Sequence, residues 1–188
     1  HDGQAIYART GTPIHPMTPL SKIFWLKHEQ PDTYAQAATY TDIKSYILAQ
    51  LFERQMMDYS MASATGLFNL EQLDWDKDVL HLLGITKEQL PELVPTTHVL
   101  TGMKHRYAAL MGVDVNTPIV IGASDGVLAN LGVNAFHQGE VAVTIGTSGA
   151  IRTVIDEPRT DKKGRIFCYI LTEDHYVIGG PVNNGGVI

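Results

Sequence analysis

The spacing of apolar and polar residues divides the chain into a helical first part and a strand-rich second part. Up to about residue 116, apolar residues recur every three or four positions, as they do on one face of an amphipathic helix. From residue 118 onward, short apolar runs separated by glycine turns indicate strands. The pattern predicts a series of helices followed by a sheet, with a domain boundary between Phe136 and Gly139.

The helix that follows Thr18 has the clearest signals. Thr18 can cap it, Pro19 suits its first turn, and Pro31 ends it. Trp25 is interpreted as an aromatic wedge that this helix inserts into the core. The other helices predicted in the first part cover residues 32–38, 41–51, 76–83 and 104–111.

The second part is predicted to contain one further helix and an antiparallel meander. A short strand at Ile119–Ile121 breaks at Gly122, and a helix begins at Ser124 or Asp125. The meander consists of strands at Val141–Ile145, Ile151–Ile155, Ile166–Leu171 and Tyr176–Ile178, with an exposed hairpin turn at residues 161–164.

Two features of the second part suggest chemistry. Asp125 lies at the mouth of a strand-to-helix turn, where helix amides stabilise a carboxylate. The loop Gly146-Thr147-Ser148-Gly149 joins two strands, and its glycines let backbone amides approach an anion. A carboxylate combined with an anion-binding loop indicates phosphoryl transfer to a hydroxyl group. Each feature also has a plain structural interpretation, since Asp125 could cap its own helix and the glycines could serve a hairpin.

Composition argues against several other classes of protein. The 14 basic and 20 acidic side chains give a net charge of −6, without a long basic run, which argues against nucleic acid as a partner. No apolar run reaches the roughly 18 residues that a membrane span requires. The single cysteine, Cys168, is typical of a core position in a reducing compartment, so the predicted location is cytoplasmic.

Sequence motifs of other enzyme classes do not occur in the chain. Residue 150 is Ala, where a serine-hydrolase elbow would have glycine, and there is no P-loop sequence. One cysteine and the lack of a His-Glu-x-x-His motif argue against zinc. Asp74 and Asp76 could form a metal pair, but a helix capped by Asp74 is the simpler interpretation, so no protein-held metal site is predicted.

Several blocks together resemble the FGGY family of carbohydrate kinases. They are Asp125, the Gly146–Gly149 loop, the segments Met17–Leu26 and Asp58–Phe68, and Leu73-Asp74-Trp75, which occur in the family's order over nearly the whole chain. The resemblance implies an α/β, actin-like (ribonuclease H-like) fold, in which a sugar and ATP bind between two domains. Residues 1–137 would be the C-terminal part of the N-terminal, sugar-binding domain, and residues 138–188 the start of the C-terminal, nucleotide-binding domain.

Within the family, the segment Thr10–Met17 most resembles the gluconate kinases, as do Asp58-Tyr59-Ser60, residues 96–98 and Pro181–Gly186. The implied reaction is phosphorylation of D-gluconate to 6-phosphogluconate. Xylulose kinases share most of these blocks, so a xylulose or other pentulose kinase is one alternative, and a non-catalytic, actin-like nucleotide-binding module is another. An anionic sugar acid favours a cationic residue in the pocket, and the sequence alone identifies none.

The family's Asp-x-Gly-Thr phosphate loop, its upstream sugar-contacting block and its downstream adenosine-binding segment do not occur here. The chain is therefore expected to be an internal fragment that is inactive alone. The resemblance implies ATP and Mg²⁺ as cofactors, with Mg²⁺ carried by ATP. The expected partners are a small-molecule sugar or sugar acid and a second copy of the protein in a homodimer, with neither nucleic acid nor a membrane.

The resemblance also implies roles for individual residues. Asp125 would be the catalytic base, which accepts the proton of the attacking sugar hydroxyl. The residues expected to contact the nucleotide are Gly146, Thr147, Ser148 and Gly186, and those expected to contact the substrate are Asp125, Gly126, His15 and Met17. A histidine beside prolines is also typical of a turn, which leaves a structural role open for His15. The Asp58–Thr65 block is interpreted as packing at the hinge between the domains.

Overall fold

The computed structural model describes residues 2–137, 139–146 and 149–182, in which helices and short strands alternate. The helices are α1 (Gly3–Thr10), α2 (Pro19–Glu29), α3 (Pro31–Gln36), α4 (Ile43–Phe52), α5 (Tyr59–Ser63), α6 (Lys77–Leu83), α7 (His105–Met111) and α8 (Asp125–Gly132). The strands are β1 (Met56–Asp58), β2 (Phe68–Asn69), β3 (Asp74–Trp75), β4 (Glu92–Val94), β5 (Val99–Leu100), β6 (Ile119–Val120), β7 (Val141–Ile145), β8 (Gly149–Ile155), β9 (Phe167–Thr172) and β10 (His175–Val182). None of the helices in these ranges is long and apolar enough to cross a membrane.

The start of α2 agrees with its sequence signals. The hydroxyl of Thr18 accepts a hydrogen bond from the Ser21 N–H, and Pro19 occupies the first turn. Leu20 and Ile23, one turn apart, are buried. The prediction for Trp25 was wrong, because its side chain is 54% exposed. Five residues beyond Leu20, it lies well off the helix face that Leu20 and Ile23 bury.

The start of α6 also differs from the prediction. Asp76, instead of Asp74, caps this helix by accepting a hydrogen bond of 3.0 Å from the Val79 N–H. Asp74 lies on β3 and forms an ion pair with Lys87. The helix ends where expected, at Gly84, which has a left-handed backbone.

Short strands that the periodicity did not reveal, β1 to β5, cross the helical first part, and β5 pairs with β6, which corresponds to the strand predicted at Ile119–Ile121. β1 pairs with β4 in parallel, β2 pairs with β3, and β5 pairs with β6 in antiparallel orientation. At two or three residues each, these strands are too short to show an alternating pattern. Helix α1 was not predicted either; Asp2 caps it by accepting from the N–H groups of Gln4 and Ala5.

The late sheet has the strand order β7-β8-β10-β9, which corrects the predicted meander. β10 lies between β8 and β9 and pairs with both in antiparallel orientation. The turn at residues 161–164 exists, but the strands on either side of it, β8 and β9, do not pair with each other, so it is not a hairpin turn. It packs on α1 instead, where the hydroxyl of Tyr7 accepts from the Asp161 N–H and donates to the Ile166 carbonyl.

Strand β9 joins the sheet to the core of the first part. Cys168 is fully buried among residues of that core, as predicted, and burial raises the pKa of its thiol to about 11. The Ile170 N–H donates to the hydroxyl of Ser63 on α5, and the Thr96 hydroxyl donates to the Leu171 carbonyl. The sheet that carries the glycine loop is therefore packed against the helices of the first part.

Replacing Gly11 by Ala should destabilise the protein by about 3 kcal/mol, because strain and overpacking add. Gly11 ends α1 with φ of +64°, and a Cβ atom there would lie 2.6 Å from both the Cys168 carbonyl oxygen and Leu70 Cδ1. Gly112→Ala is the matched control, since Gly112 has φ of +68° but nothing within 4 Å of the added atom. Urea unfolding should show a loss of only about 1 kcal/mol in the control; equal losses would contradict the packing argument.

Candidate functional site

Asp125 lies at the start of α8, directly after a turn that follows β6. Gly122 has φ of +71°, which turns the backbone out of the strand, and Ser124 occupies the N-cap position. The Asp125 side chain is exposed, and one of its carboxylate oxygens accepts a hydrogen bond of 2.7 Å from the Gly126 N–H. The structure therefore presents Asp125 as an accessible carboxyl group.

Ser60, on the buried helix α5, holds the turn in front of Asp125. Its hydroxyl accepts from the Ser124 N–H and donates to the Ser124 hydroxyl, both at 3.0 Å. Ser60 is fully buried, so water does not compete with these two bonds. Because Ser124 is the residue before Asp125, the bonds fix the direction in which the carboxylate leaves the turn.

Lys44, on α4, fixes the other end of the same turn. Its ammonium group donates to the Gly122 carbonyl at 3.4 Å and lies 2.5 Å from Asp58 Oδ2. Asp58 is fully buried, and its other carboxylate oxygen caps α5 by accepting from the Met61 N–H. The charge of Asp58 is thus paired with Lys44, which links α4 and α5 to the turn.

The Asp58–Thr65 block thus supports the Asp125 turn, a role that the hinge interpretation did not include. In the sequence the only signal was a short polar residue, Asp58, before a helical turn, which indicates a cap. Nothing in the pattern indicates that Ser60 reaches a residue 64 positions away.

The opposite side of α8 packs on the late sheet. Val127 is 1% exposed and belongs to a cluster with Val154, Phe167, Leu171 and Val177. Asn130 is fully buried, and its side-chain amide donates to the carbonyl groups of Ala135 and, at 3.5 Å, Arg152. This packing brings Gly126 against Arg152 of β8: a Cβ atom at Gly126 would lie 3.6 Å from the guanidinium Nη2. Sequence reasoning did not identify Arg152.

Of the four residues expected to contact the nucleotide, the structure describes one. Gly146 is exposed and follows the last residue of β7, Ile145, which pairs with Gly149 at the start of β8. Thr147, Ser148 and Gly186 lie outside the described residues. Since α8 packs beside β7 and β8, the structure brings the strands that flank the glycine loop to the helix that carries Asp125.

The two remaining residues expected at the substrate lie in the loop before α2, and both are exposed. His15 forms a turn in which its ring Nδ1 accepts from the Met17 N–H and its carbonyl accepts from Thr18. His15 also lines a cavity of about 520 Å³ together with Phe24 and Trp25. Within residues 2–137, 139–146 and 149–182, no hydrogen bond joins His15 or Met17 to Asp125 or Gly126.

Asp74 and Asp76, the two aspartates considered as a metal pair, are each engaged in an ion pair. Across the part of the chain that the structure describes, no group of three or more His, Cys, Asp or Glu side chains could hold a metal ion. Asp76, close to Asp74, is bound to Arg9 at 2.7 Å. These two aspartates therefore link separate elements of the fold through their ion pairs.

The chain is similar to known proteins in both sequence and structure. The profile of the FGGY family of carbohydrate kinases, N-terminal domain, matches residues 1–132. The gluconokinase of Bacillus subtilis (strain 168) is 59% identical over 187 residues, which are 100% of this chain and 36% of that protein. Two solved structures from Lactobacillus acidophilus, one described as a gluconate kinase and one as a ligand-bound xylulose kinase, match with a TM-score of 0.94 and 44% identity. Each match covers 98% of this chain and 38% of the solved one, so the chain spans well under half the length of these proteins.

Proposed function

The chain belongs to the FGGY family of carbohydrate kinases, and on that premise we propose that its full-length protein transfers a phosphoryl group from ATP to D-gluconate, giving 6-phosphogluconate. The observation that carries the proposal is the accessible carboxylate of Asp125. It lies at a turn that Ser60 holds by hydrogen bonds, beside the strands of the glycine loop. The identity of 59% with a gluconokinase over the whole chain supports gluconate as the substrate.

In this proposal Asp125 is the catalytic base. It accepts the proton of the terminal hydroxyl of gluconate while that oxygen attacks the γ-phosphorus of ATP, and ADP leaves with the electrons of the broken P–O bond. Phosphoryl transfer has a loose transition state, so orientation of the hydroxyl contributes more than basicity. The bonds from Ser60 and Lys44 fix the turn before Asp125, and with it the carboxylate that would orient the hydroxyl.

The other sites remain proposals of the same kind. Gly126 would contact the substrate together with His15 and Met17, whose loop lies at a cavity. Gly146, Thr147, Ser148 and Gly186 would contact the phosphates of ATP. When Mg²⁺ is bound to ATP it neutralises charge on the phosphates. The division of the chain at residues 137 and 138, the cytoplasmic location and the homodimer stay predictions.

A xylulose kinase is the second candidate, and one observation favours it. The two solved structures that match equally well are described with different sugars, gluconate and xylulose. The similarity of fold therefore does not decide between a sugar acid and a pentulose.

The test is release of ADP by the full-length protein with Mg²⁺-ATP, measured for D-gluconate, D-xylulose, D-ribulose and glycerol. We expect kcat/KM to be highest for D-gluconate. A preference for a pentulose would change the proposed substrate and leave Asp125 as the proposed base. Binding of ATP without turnover of any sugar would indicate a non-catalytic module.

Replacing Ser60 by Ala should lower kcat about tenfold with little change in KM, because the part-buried Ser124 N–H loses its acceptor, at a cost of about 1–3 kcal/mol, and the Asp125 turn moves. Ser60→Thr, which keeps a hydroxyl, should restore much of kcat. Ser63→Ala is the matched control, since Ser63 is equally buried on α5 but its hydroxyl bonds to the Ile170 N–H and the Ser60 carbonyl instead of the Ser124 turn. If Ser60→Ala and Ser63→Ala have the same kcat, Ser60 has only a structural role.

A further inference from the structure

The side chain of Arg152 brings a positive charge to the residue beside Asp125. A Cβ atom at Gly126 would lie 3.6 Å from Nη2, 3.8 Å from Nε and 4.0 Å from Cζ of this guanidinium group. Nε and Nη2 form one edge of the group, the edge with which arginine binds two oxygens of a carboxylate or phosphate at once. That edge faces the start of α8.

Neighbouring residues hold Arg152 in this position. Its third nitrogen, Nη1, donates to the Thr144 hydroxyl of β7 at 3.1 Å, so the edge that faces Gly126 is not used by this bond. The stem of the side chain passes over Gly179 of β10, where a Cβ atom would lie 3.2 Å from Arg152 Cγ. The same atom would also lie 2.4 Å from the Ile151 carbonyl oxygen, so this position excludes any side chain. The site thus has a fixed geometry before a ligand arrives.

Arg152 has no counter-charge in the part of the chain that the structure describes. Arg9 pairs with Asp76, Arg54 with Glu92 and Arg165 with Asp161, whereas no carboxylate lies within 4.0 Å of the Arg152 guanidinium. Arg152 is half-buried, and a partly desolvated cation without an anion is unfavourable. An anionic ligand that binds at Asp125 and Gly126 would provide the missing charge.

We propose that Arg152 binds an oxyanion of the ligand at this site, and that this oxyanion is the carboxylate of the sugar acid. The inference rests on the proposed kinase function, and it identifies the cationic residue that a gluconate pocket requires. Phosphate oxygens of the nucleotide have the same chemistry. The carboxylate is favoured because Arg152 lies three residues beyond Gly149, or about 10 Å along the strand from the glycine loop.

The experiment replaces Arg152 by Leu in the full-length protein and measures KM for D-gluconate, for the neutral acceptor D-xylulose and for ATP. We expect KM for D-gluconate to rise about 10- to 100-fold, as for loss of a hydrogen-bonded charge, while the other two values stay within about threefold. Arg152→Lys keeps the charge without the paired donors and should lie between the wild type and Arg152→Leu. Arg159→Leu, at an exposed arginine that follows β8 in the chain, is the matched control.

Two other kinetic outcomes would overturn the proposal. A rise in KM for ATP with a lower kcat for every acceptor would assign Arg152 to the phosphates instead. Unchanged constants in both Arg152 variants would remove Arg152 from the site. If Arg152→Leu does not fold, as judged by circular dichroism, Arg152→Lys and Arg152→Gln provide the same comparison.

Calorimetry separates this inference from the proposed function. D-gluconate and inorganic phosphate are titrated into the wild type and the Arg152 variants without ATP. Gluconate binding that depends on Arg152 supports the inference even if the protein fails to phosphorylate gluconate, which would refute the kinase assignment alone. Gluconate binding that is equal in wild type and variants overturns the inference and leaves the kinase assignment to the ADP assay. If phosphate binding depends on Arg152 and gluconate binding does not, phosphate is the ligand of Arg152.

Discussion

Asp125→Asn in the full-length protein should lower kcat about 10²- to 10⁴-fold, the usual contribution of a positioned general base. Asn has nearly the same shape and can still accept a hydrogen bond from the sugar hydroxyl, so the dissociation constant for D-gluconate should change by less than about threefold. The Asn side chain cannot, however, take up the proton of the sugar hydroxyl as the hydroxyl oxygen attacks. Rapid-quench turnover together with calorimetric binding of D-gluconate measures the two quantities separately.

The control for this variant is Asp32→Asn. Asp32 is also exposed in the first turn of a helix, α3, but it belongs to no part of the candidate site. Its replacement removes the same charge near a helix N-terminus, so it corrects for that general effect and should leave kcat unchanged. If Asp125→Asn keeps more than about a tenth of kcat, Asp125 is not the base, and its exposed carboxylate has only a structural role in the first turn of α8.

Local signals in the sequence were sufficient wherever one residue decides the local structure. Thr18 and Pro19 begin α2, Gly84 ends α6, and Asp125 begins α8, all as predicted. The α/β, actin-like fold predicted from the resemblance is confirmed by the match to solved sugar kinases. These features depend on capping and on backbone conformation, which act over a few residues.

Features that depend on distant pairs could not be predicted in this way. The order β7-β8-β10-β9 arises because β10 can pair on both edges, and alternation alone does not specify which strand lies beside which. Trp25 is a different kind of error, because its spacing from Leu20 and Ile23 already placed it off the buried face of α2.

The candidate site follows the same division. Asp125 was found from a strand, a glycine and a cap that are adjacent in the sequence. The residues that support Asp125 were not predicted, because Ser60 lies 64 residues from Ser124, and Lys44 lies 78 residues from Gly122. Arg152 was missed because its role depends on Gly126 and Gly179, two glycines that leave room for its side chain from different elements. An arginine in a strand that alternates apolar and polar residues does not by itself indicate a binding site.

Asp76→Ala should lower the free energy of unfolding by about 3 kcal/mol, the lower end of the cost of breaking a buried ion pair, since Arg9 is 32% exposed. The Asp76 side chain is 2% exposed and accepts hydrogen bonds from Arg9 at 2.7 and 3.1 Å, from Asn69 at 3.0 Å and from the Val79 N–H at 3.0 Å. Without it, Arg9 loses its main partner and α6 loses its cap. Asp74→Ala is the matched control: its pair with Lys87 is about 40% exposed on both sides and should contribute less than about 1 kcal/mol.

The acid dependence of stability tests the same ion pair. Burial alone would raise the pKa of Asp76, but the hydrogen bonds from Arg9, Val79 and Asn69 outweigh it and hold the pKa below its ordinary value. As the pH falls, the Asp76 carboxylate is therefore protonated in the unfolded chain before it is protonated in the folded one. The stabilisation by Asp76 is complete above about pH 4 and is lost as the pH falls through the lower pKa of the folded state. Urea unfolding between pH 7 and pH 2 should show a steep acid loss in the wild type that is smaller in Asp76→Ala. If the two curves stay parallel below about pH 4, the Arg9–Asp76 pair does not contribute to the acid sensitivity of the fold.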